Sequence, residues 1–472
     1  MAAAAACIAA PLILMCLRSL QIGMNCFKLH GLWSDEMVYW REVYNFIHTG
    51  IAGGYTGCDD MAPALANFGT HSFLNTVIYG AFGAVFGWNN NSIMIYNLVF
   101  LMLCITVFVY WVRPSIRQLL ILLAATVFYL PLYYYAPTSM TELLGYGGIV
   151  LYTGALLCYE REAKERWFFV LLACTVFLSF FKLPNMVFFI PLVLAIFEGK
   201  FTRRFTLRTL GCMASCVLIY MINSAFTSPY PWFFSEVFEQ KTVGKMIAKV
   251  WGRFTENLSH FFSLGYGTRQ EQMQRYFYLF LFLLFVCLTV YFFRKKQAQK
   301  GKLALSYVLL LLASFTLNNA FYEVWDWRDY RMMAPVAWGA LIGLLFLEEK
   351  IWTALAAVAV ATMFFYEIAK PNEVFINWER TEPLPENTVC ELVHYDAQTE
   401  NPFDNTIAVE FVNLGIYYGL EPGIGVQNIF TPEAITKSKY ILVSTPDYDF
   451  PGYSLSGQGT YGYLYIRNSL SK

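Results

Sequence analysis

Apolar residues in this chain come in long, nearly unbroken blocks rather than in the amphipathic stripes of a helix that lies half in water. The blocks fall at about 2–24, 92–112, 118–135, 142–158, 167–181, 186–198, 209–226, 276–293, 303–319, 332–348 and 351–368. A straight bilayer-crossing helix needs roughly 20 apolar residues, so the pattern predicts a polytopic all-α membrane region of about 11 spans over 1–368, several of them short. The first block has no basic stretch before it and runs past Arg18 to about Met24, so it reads as a retained span and not as a removed leader. After about Ile368 the pattern changes. Short runs rich in β-formers, Thr406–Val412, Tyr440–Ser444 and Tyr461–Ile466, alternate with Pro, Gly and Asn turn signals and predict a small C-terminal α/β domain over 369–472.

The polar residues between the blocks predict the topology, because short cytoplasmic loops concentrate Lys and Arg. With the N-terminus inside, the inner connections are Arg113–Arg117, Arg161–Arg166, Lys200–Arg208, Arg294–Lys302 and Lys350, all basic. The opposite connections, Tyr133–Thr141, Phe181–Asn185 and Phe321–Arg331, are aromatic, proline-containing or mixed in charge. A further apolar run, Ser72–Gly87, would invert every later loop if it crossed. It is therefore expected as an interfacial or re-entrant helix inside a long outer loop, 28–91. A second outer loop, 227–275, carries Lys241, Lys245, Lys249 and Arg253 at four-residue spacing. They share one helix face, which suits an amphipathic helix on the bilayer with snorkelling lysines or, alternatively, a guide for an anionic headgroup.

Composition agrees with a membrane location. Of 472 residues, 57% are hydrophobic and 14% charged, against roughly 25% charged in soluble domains. The net charge of zero argues against a nucleic-acid partner. Most of the eleven cysteines sit in apolar spans, and no CxxC or Cys/His spacing suits zinc. No cofactor is certain from the sequence; a divalent metal is compatible with it but not indicated. The expected location is a plasma or inner membrane, with the C-terminal domain on the outer face.

Ionisable residues gather where the spans reach that face. In His30–Arg41, Asp35 and Glu36 stand at the start of a helix that Ser34 can cap. Adjacent helical positions diverge by about 100°, so the two carboxylates do not aim at one target. Either is a candidate general base for an attacking hydroxyl, Asp35 first; the alternative is that they solvate an interfacial helix. Asp59, Asp60 and His71 lie in a Gly- and Pro-shaped loop, where they suit sugar or acceptor binding or plain turn chemistry. Glu142 opens a span, complementing its dipole or facing a cavity, where it would join them in sugar or acceptor binding. Lys182, Arg328 and Arg331 sit at tight turns on the same face, where fixed cations can stabilise a leaving phosphate or snorkel and pair locally.

Taken together, a first span, an acidic outer loop and an apolar helix ending in Phe86-Gly-Trp88 resemble the GT-C superfamily of membrane glycosyltransferases. That superfamily includes protein O-mannosyltransferases and the aminoarabinose transferases of lipid A. Ser34-Asp-Glu36 resembles their first-loop acidic motif. Thr141-Glu142 matches an acidic position in their second outer loop, and Lys182-Leu-Pro184 is similar to a Lys-Gly-Pro turn. Asp329-Tyr-Arg-Met-Met-Ala-Pro335 is similar to the Arg-Tyr-x-x-x-Pro start of a late span. The chain departs in lacking that Gly, in the order of Arg and Tyr, and in lacking a Pro-Pro before the interfacial helix. The resemblance implies a polyprenyl-phosphate-linked sugar donor, an active site outside the cytoplasm, Asp35 as base and inversion at the sugar carbon. The acceptor would be a glycan, lipid or protein hydroxyl. Two other classes remain: a flippase for lipid-linked glycans, and a polysaccharide polymerase or ligase of another membrane fold. Transporters place ionisable groups near the bilayer midplane and often carry inverted repeats, and neither feature is visible here.

Overall fold

Each apolar block becomes helix, because a chain in hydrocarbon must satisfy its backbone polar groups within the segment. The computed structural model of the chain describes all residues except 29–33, 51–54, 59–67, 69–71, 198–199, 228–236, 238, 323–330, 348, 373–387, 411–415, 430–437 and 469–472. Its helices are α1 (Ala2–Ile8), α2 (Ala10–Ile22), α3 (Ser34–Thr49), α4 (Phe73–Phe86), α5 (Ser92–Val112), α6 (Ile116–Val127), α7 (Leu130–Tyr135) and α8 (Glu142–Glu162). Next come α9 (Glu165–Phe181), α10 (Phe189–Ile196), α11 (Arg203–Phe226), α12 (Val243–Phe262), α13 (Arg269–Arg294), α14 (Ala298–Phe321), α15 (Ala334–Phe346) and α16 (Lys350–Ala369).

Among the described residues, six helices are long and apolar enough to cross a membrane: α5, α8, α11, α13, α14 and α16. The pair α1–α2, bent by 59°, makes a seventh. The bend has a local cause, since Pro11 at the start of α2 lacks an N–H and its ring crowds the preceding turn. The remaining expected spans are shorter helices. One of them, α15, is buried along nearly its whole length, so protein rather than lipid surrounds it. The Ser72–Gly87 run becomes the 14-residue α4, capped by the Ser72 hydroxyl, which accepts from the Leu74 N–H at 3.2 Å. It is too short for a straight span.

At the centre stands α8, 89% buried over its apolar window, whereas α11 is 11% buried over its own and turns Leu207, Met213, Val217 and Met221 outward. Glycines let α8 take the central place. A Cβ at Gly145 would stand 2.9 Å from the Phe181 ring of α9, and one at Gly147 2.6 Å from Phe100 of α5. Small residues permit this close approach of helices.

The basic connections share one end of the bundle. Arg161 donates to the Val112 carbonyl, Arg204 and Arg208 pair with Glu165, Lys302 reaches the Phe197 carbonyl and Lys300 the Leu347 carbonyl. At the opposite end, α3, with α4 packed against it, meets a six-stranded sheet of order β1-β3-β2-β4-β6-β5. The strands are β1 (Tyr55–Cys58), β2 (Thr406–Glu410), β3 (Gly425–Ile429), β4 (Tyr440–Val443), β5 (Tyr453–Gly459) and β6 (Gly462–Arg467). The three expected runs are β2, β4 and β6. The unexpected member is β1, which comes from the 28–91 loop and adds in parallel to β3. The sheet is therefore not built from residues 369–472 alone. Met37 and Val38 of α3 also pack into its core beside Val393, Ile407, Tyr417 and Ile424.

Candidate functional site

Four side chains from distant parts of the sequence meet at the sheet end of the bundle. Asp35 and Glu142 stand in the first turns of α3 and α8, where a carboxylate complements the positive end of a helix. Lys182 is the extended residue that ends α9, immediately before the Leu183–Phe188 3₁₀ turn with Pro184 near its start. Arg331 lies in the turn before α15, which carries Pro335 in its first turn. Proline fixes both junctions, because it cannot continue a preceding helix but starts a new one readily.

The contacts are ionic and shared. Arg331 donates from Nη2 to Asp35 Oδ2 at 2.7 Å, and its Nε lies 3.4 Å from Glu142 Oε1. Lys182 Nζ donates to the same Glu142 oxygen at 2.9 Å and sits 3.2 Å from Met332 Sδ. Side-chain exposure rises from 1% at Glu142 through 13% at Lys182 and 20% at Arg331 to 30% at Asp35. Glu142 is thus the floor of the cluster and Asp35 its rim. The other Glu142 oxygen, Oε2, is buried without a hydrogen-bond partner among the described residues. Burial alone would lower the Arg331 pKa. The charges of Asp35 and Glu142 outweigh it and hold the guanidinium well above its ordinary value. Tyr39, one turn beyond Asp35, is buried, and burial followed by the same two carboxylates raises its hydroxyl pKa. It stays neutral.

Two carboxylates facing two cations are balanced in charge and partly open. Such a set can bind a phosphate through Lys182 and Arg331, and Asp35 can accept a proton at the rim. Among the described residues no three His, Cys, Asp or Glu side chains are grouped to hold a metal ion.

The adjacent carboxylates do diverge. Glu36 is fully buried and accepts the Ser139 backbone N–H at 2.6 Å, which ties α3 to the turn before α8. Glu142, a candidate for sugar or acceptor binding, lies beneath the two cations. Asp59, Asp60, His71 and Arg328 lie outside the described residues. Sequence reasoning passed over Glu42, which is buried and accepts from the Thr76 hydroxyl of α4 at 2.6 Å. It also passed over Asn97, which accepts from the Tyr79 hydroxyl at 2.5 Å and donates to the Met140 carbonyl at 2.8 Å. The available signal was a polar residue on the inner face of an apolar helix.

No family model matches the sequence, and no curated protein does. Among solved structures, the chain is similar to ArnT from Cupriavidus metallidurans, crystallised with undecaprenyl phosphate bound. Identity is 13%, the match covers 98% of each chain, and the TM-score is 0.50. At that identity the likeness is one of fold, and it runs from end to end: the chain has an ArnT-like membrane fold.

Proposed function

We propose that the protein is a membrane glycosyltransferase that moves a sugar from a polyprenyl-phosphate donor to a hydroxyl of a glycan, lipid or protein, with inversion. The reaction takes place at the sheet end of the bundle, outside the cytoplasm. The observation that carries this reading is the meeting of Asp35, Glu142, Lys182 and Arg331. Those four residue types supply both halves of the chemistry, a base and a phosphate clamp.

Asp35 takes the proton of the acceptor hydroxyl as that oxygen attacks the sugar's anomeric carbon. The bond from that carbon to the phosphate oxygen breaks, its electrons leave with the phosphate, and Lys182 and Arg331 stabilise the developing charge. Attack opposite the leaving group inverts the carbon. Glu142 holds both cations in place before the donor arrives. The donor phosphate competes with Asp35 for Arg331, so donor binding raises the basicity of Asp35 where it is needed. Glu36, tied to Ser139, serves placement and not proton transfer. Asp59, Asp60 and His71 would bind sugar or acceptor, and Arg328 would be a further phosphate ligand; these four roles rest on the sequence reading alone. The whole-chain likeness to a protein crystallised with undecaprenyl phosphate supports a polyprenyl donor.

The test is to incubate purified protein with a panel of polyprenyl-phosphate sugars and measure release or transfer of each sugar. We expect one donor class to be consumed, with inverted product. Donors left intact across the panel, together with lipid-glycan translocation in vesicles, would replace this reading with a flippase.

A further inference from the structure

Beyond its rim residue, α3 is tied to the C-terminal sheet by a buried guanidinium. Arg41 is fully buried. It donates from Nη1 to the Leu420 carbonyl at 2.6 Å, from Nε and Nη2 to the Ile424 carbonyl at 3.2 and 3.1 Å, and from Nη2 to the Glu421 carbonyl. Asn45, one turn on and on the same face, is also fully buried. Its Nδ2 donates to the Ile424 carbonyl at 3.1 Å, and its Oδ1 accepts the Gly423 N–H at 2.9 Å.

The loop they grip is itself held by further contacts. Gly423 has φ +91°, a conformation that favours glycine, and a Cβ there would meet the Tyr395 ring at 2.6 Å. The Glu421 carboxylate accepts the Tyr395 N–H at 2.9 Å and contacts His394 Nδ1 at 3.1 Å. Ile424 leads directly into β3, which pairs on either side with β1 and β2.

A buried arginine is a costly way to join two apolar surfaces. Burial drags its pKa down to about 10, and a well-packed hydrophobic residue often stabilises as well or better. Its five donors in a fixed fork nevertheless set direction as well as distance. With Glu36 on Ser139 and Glu42 on Thr76, α3 is hydrogen-bonded to three separate bodies. Asp35 stands at its end.

We propose that Arg41 and Asn45 are positioning residues for sugar transfer, through which the C-terminal sheet holds α3 so that Asp35 sits at the Lys182–Arg331 cations. The proposal rests on the reading of Asp35 as base. It gives the C-terminal domain a role in the chemistry without contact to the reacting atoms.

The experiment uses full-length protein in nanodiscs, with Asn45→Ala, Asn45→Asp and Arg41→Lys beside wild type and Asp35→Asn. Three quantities are measured: kcat and KM with the donor that wild type consumes, affinity for undecaprenyl phosphate, and hydrogen exchange of 34–49 and 420–424. A misplacement of about 1 Å costs on the order of 10²-fold. Asn45→Ala and Arg41→Lys are therefore expected to lose about ten- to a hundredfold in kcat, with donor KM and undecaprenyl phosphate affinity within about threefold and faster exchange in both segments. Asn45→Asp, which keeps the acceptor for Gly423, recovers part of the loss. Two results overturn the proposal: kcat within about twofold of wild type while exchange rises in both segments, or equal losses in kcat and lipid affinity, which marks general unfolding. Full turnover in Asp35→Asn instead overturns the base reading. In that case unchanged α3 exchange in Asn45→Ala separately refutes the link, and faster exchange upholds it.

Discussion

The sheet end of the bundle holds two clusters of ionisable side chains, and they are built oppositely. Around Glu367 both carboxylate oxygens are met by donors: the Tyr134 hydroxyl at 2.6 Å, the Gln270 amide and the Asn372 N–H at 3.2 Å, and the Arg18 guanidinium at 3.8 Å. Arg18 in turn donates to the Gln21 side chain and lies over the Tyr133 ring, 5.1 Å from its centroid. Both charges are essentially inaccessible. Around Glu142, by contrast, one carboxylate oxygen is left over among the described residues, and the exposure of the charged partners grows toward Asp35. A carboxylate enclosed in this way is closed to ligands. In the other cluster Lys182 and Arg331 keep partly exposed N–H groups that a ligand can reach. Burial of single residues does not separate them, since Arg18 and Glu142 are equally hidden; the exposure of the remaining partners does.

If this contrast is right, mutations in the two clusters fall on different observables. Arg331→Met removes both the phosphate clamp and the partner of Asp35. Turnover should drop about 10³-fold, or about 4 kcal/mol of transition-state stabilisation, with weaker undecaprenyl phosphate binding and little change in melting temperature. Breaking the other cluster with Arg18→Met leaves a carboxylate buried beside an apolar chain. About 3 kcal/mol of stability should go, read in unfolding curves, while turnover per folded molecule stays within about twofold. An Arg18→Met enzyme that is stable but inactive would erase the contrast.

Lys182→Met should cost roughly 10²-fold in turnover and weaken donor binding as well, since a single ammonium is lost; a selective loss of acceptor affinity would contradict its place. Glu36→Gln keeps an acceptor for the Ser139 N–H and should cost about 1 kcal/mol of stability or less, with activity nearly intact. The smallest effect concerns pH. Because the Arg331 pKa is raised and not lowered, its charge persists at any pH up to about 12, so donor binding should show no alkaline loss from that residue.

Much of this was legible in the sequence because membrane chains state their architecture plainly. Hydrophobic blocks marked the helices, and basic loops marked one end of the bundle. Asp35, Glu142, Lys182 and Arg331 stood out as charges where charges are expensive. Three things were hidden. Tyr55–Cys58 pairs with Val426–Asn428, far along the chain, and a four-residue edge strand with no apolar alternation gives no local signal. Arg41 gave no signal of its own, because a cation whose partners are backbone carbonyls leaves no complementary residue to find. Glu367 was one acid in an apolar span, and its partners Arg18, Tyr134 and Gln270 are spread across the whole chain. Span length was also misleading: short blocks such as α15 are sheltered by neighbours and need not match the bilayer on their own.

The central claim is that Asp35 is the base and the cations are the clamp. Its most direct measurement compares wild type and Asp35→Asn for single-turnover sugar release and for undecaprenyl phosphate affinity in the same preparation. The account predicts transfer reduced at least about 10³-fold, with lipid affinity unchanged or tighter, because Arg331 no longer answers to a carboxylate. Near-normal transfer in Asp35→Asn would contradict it.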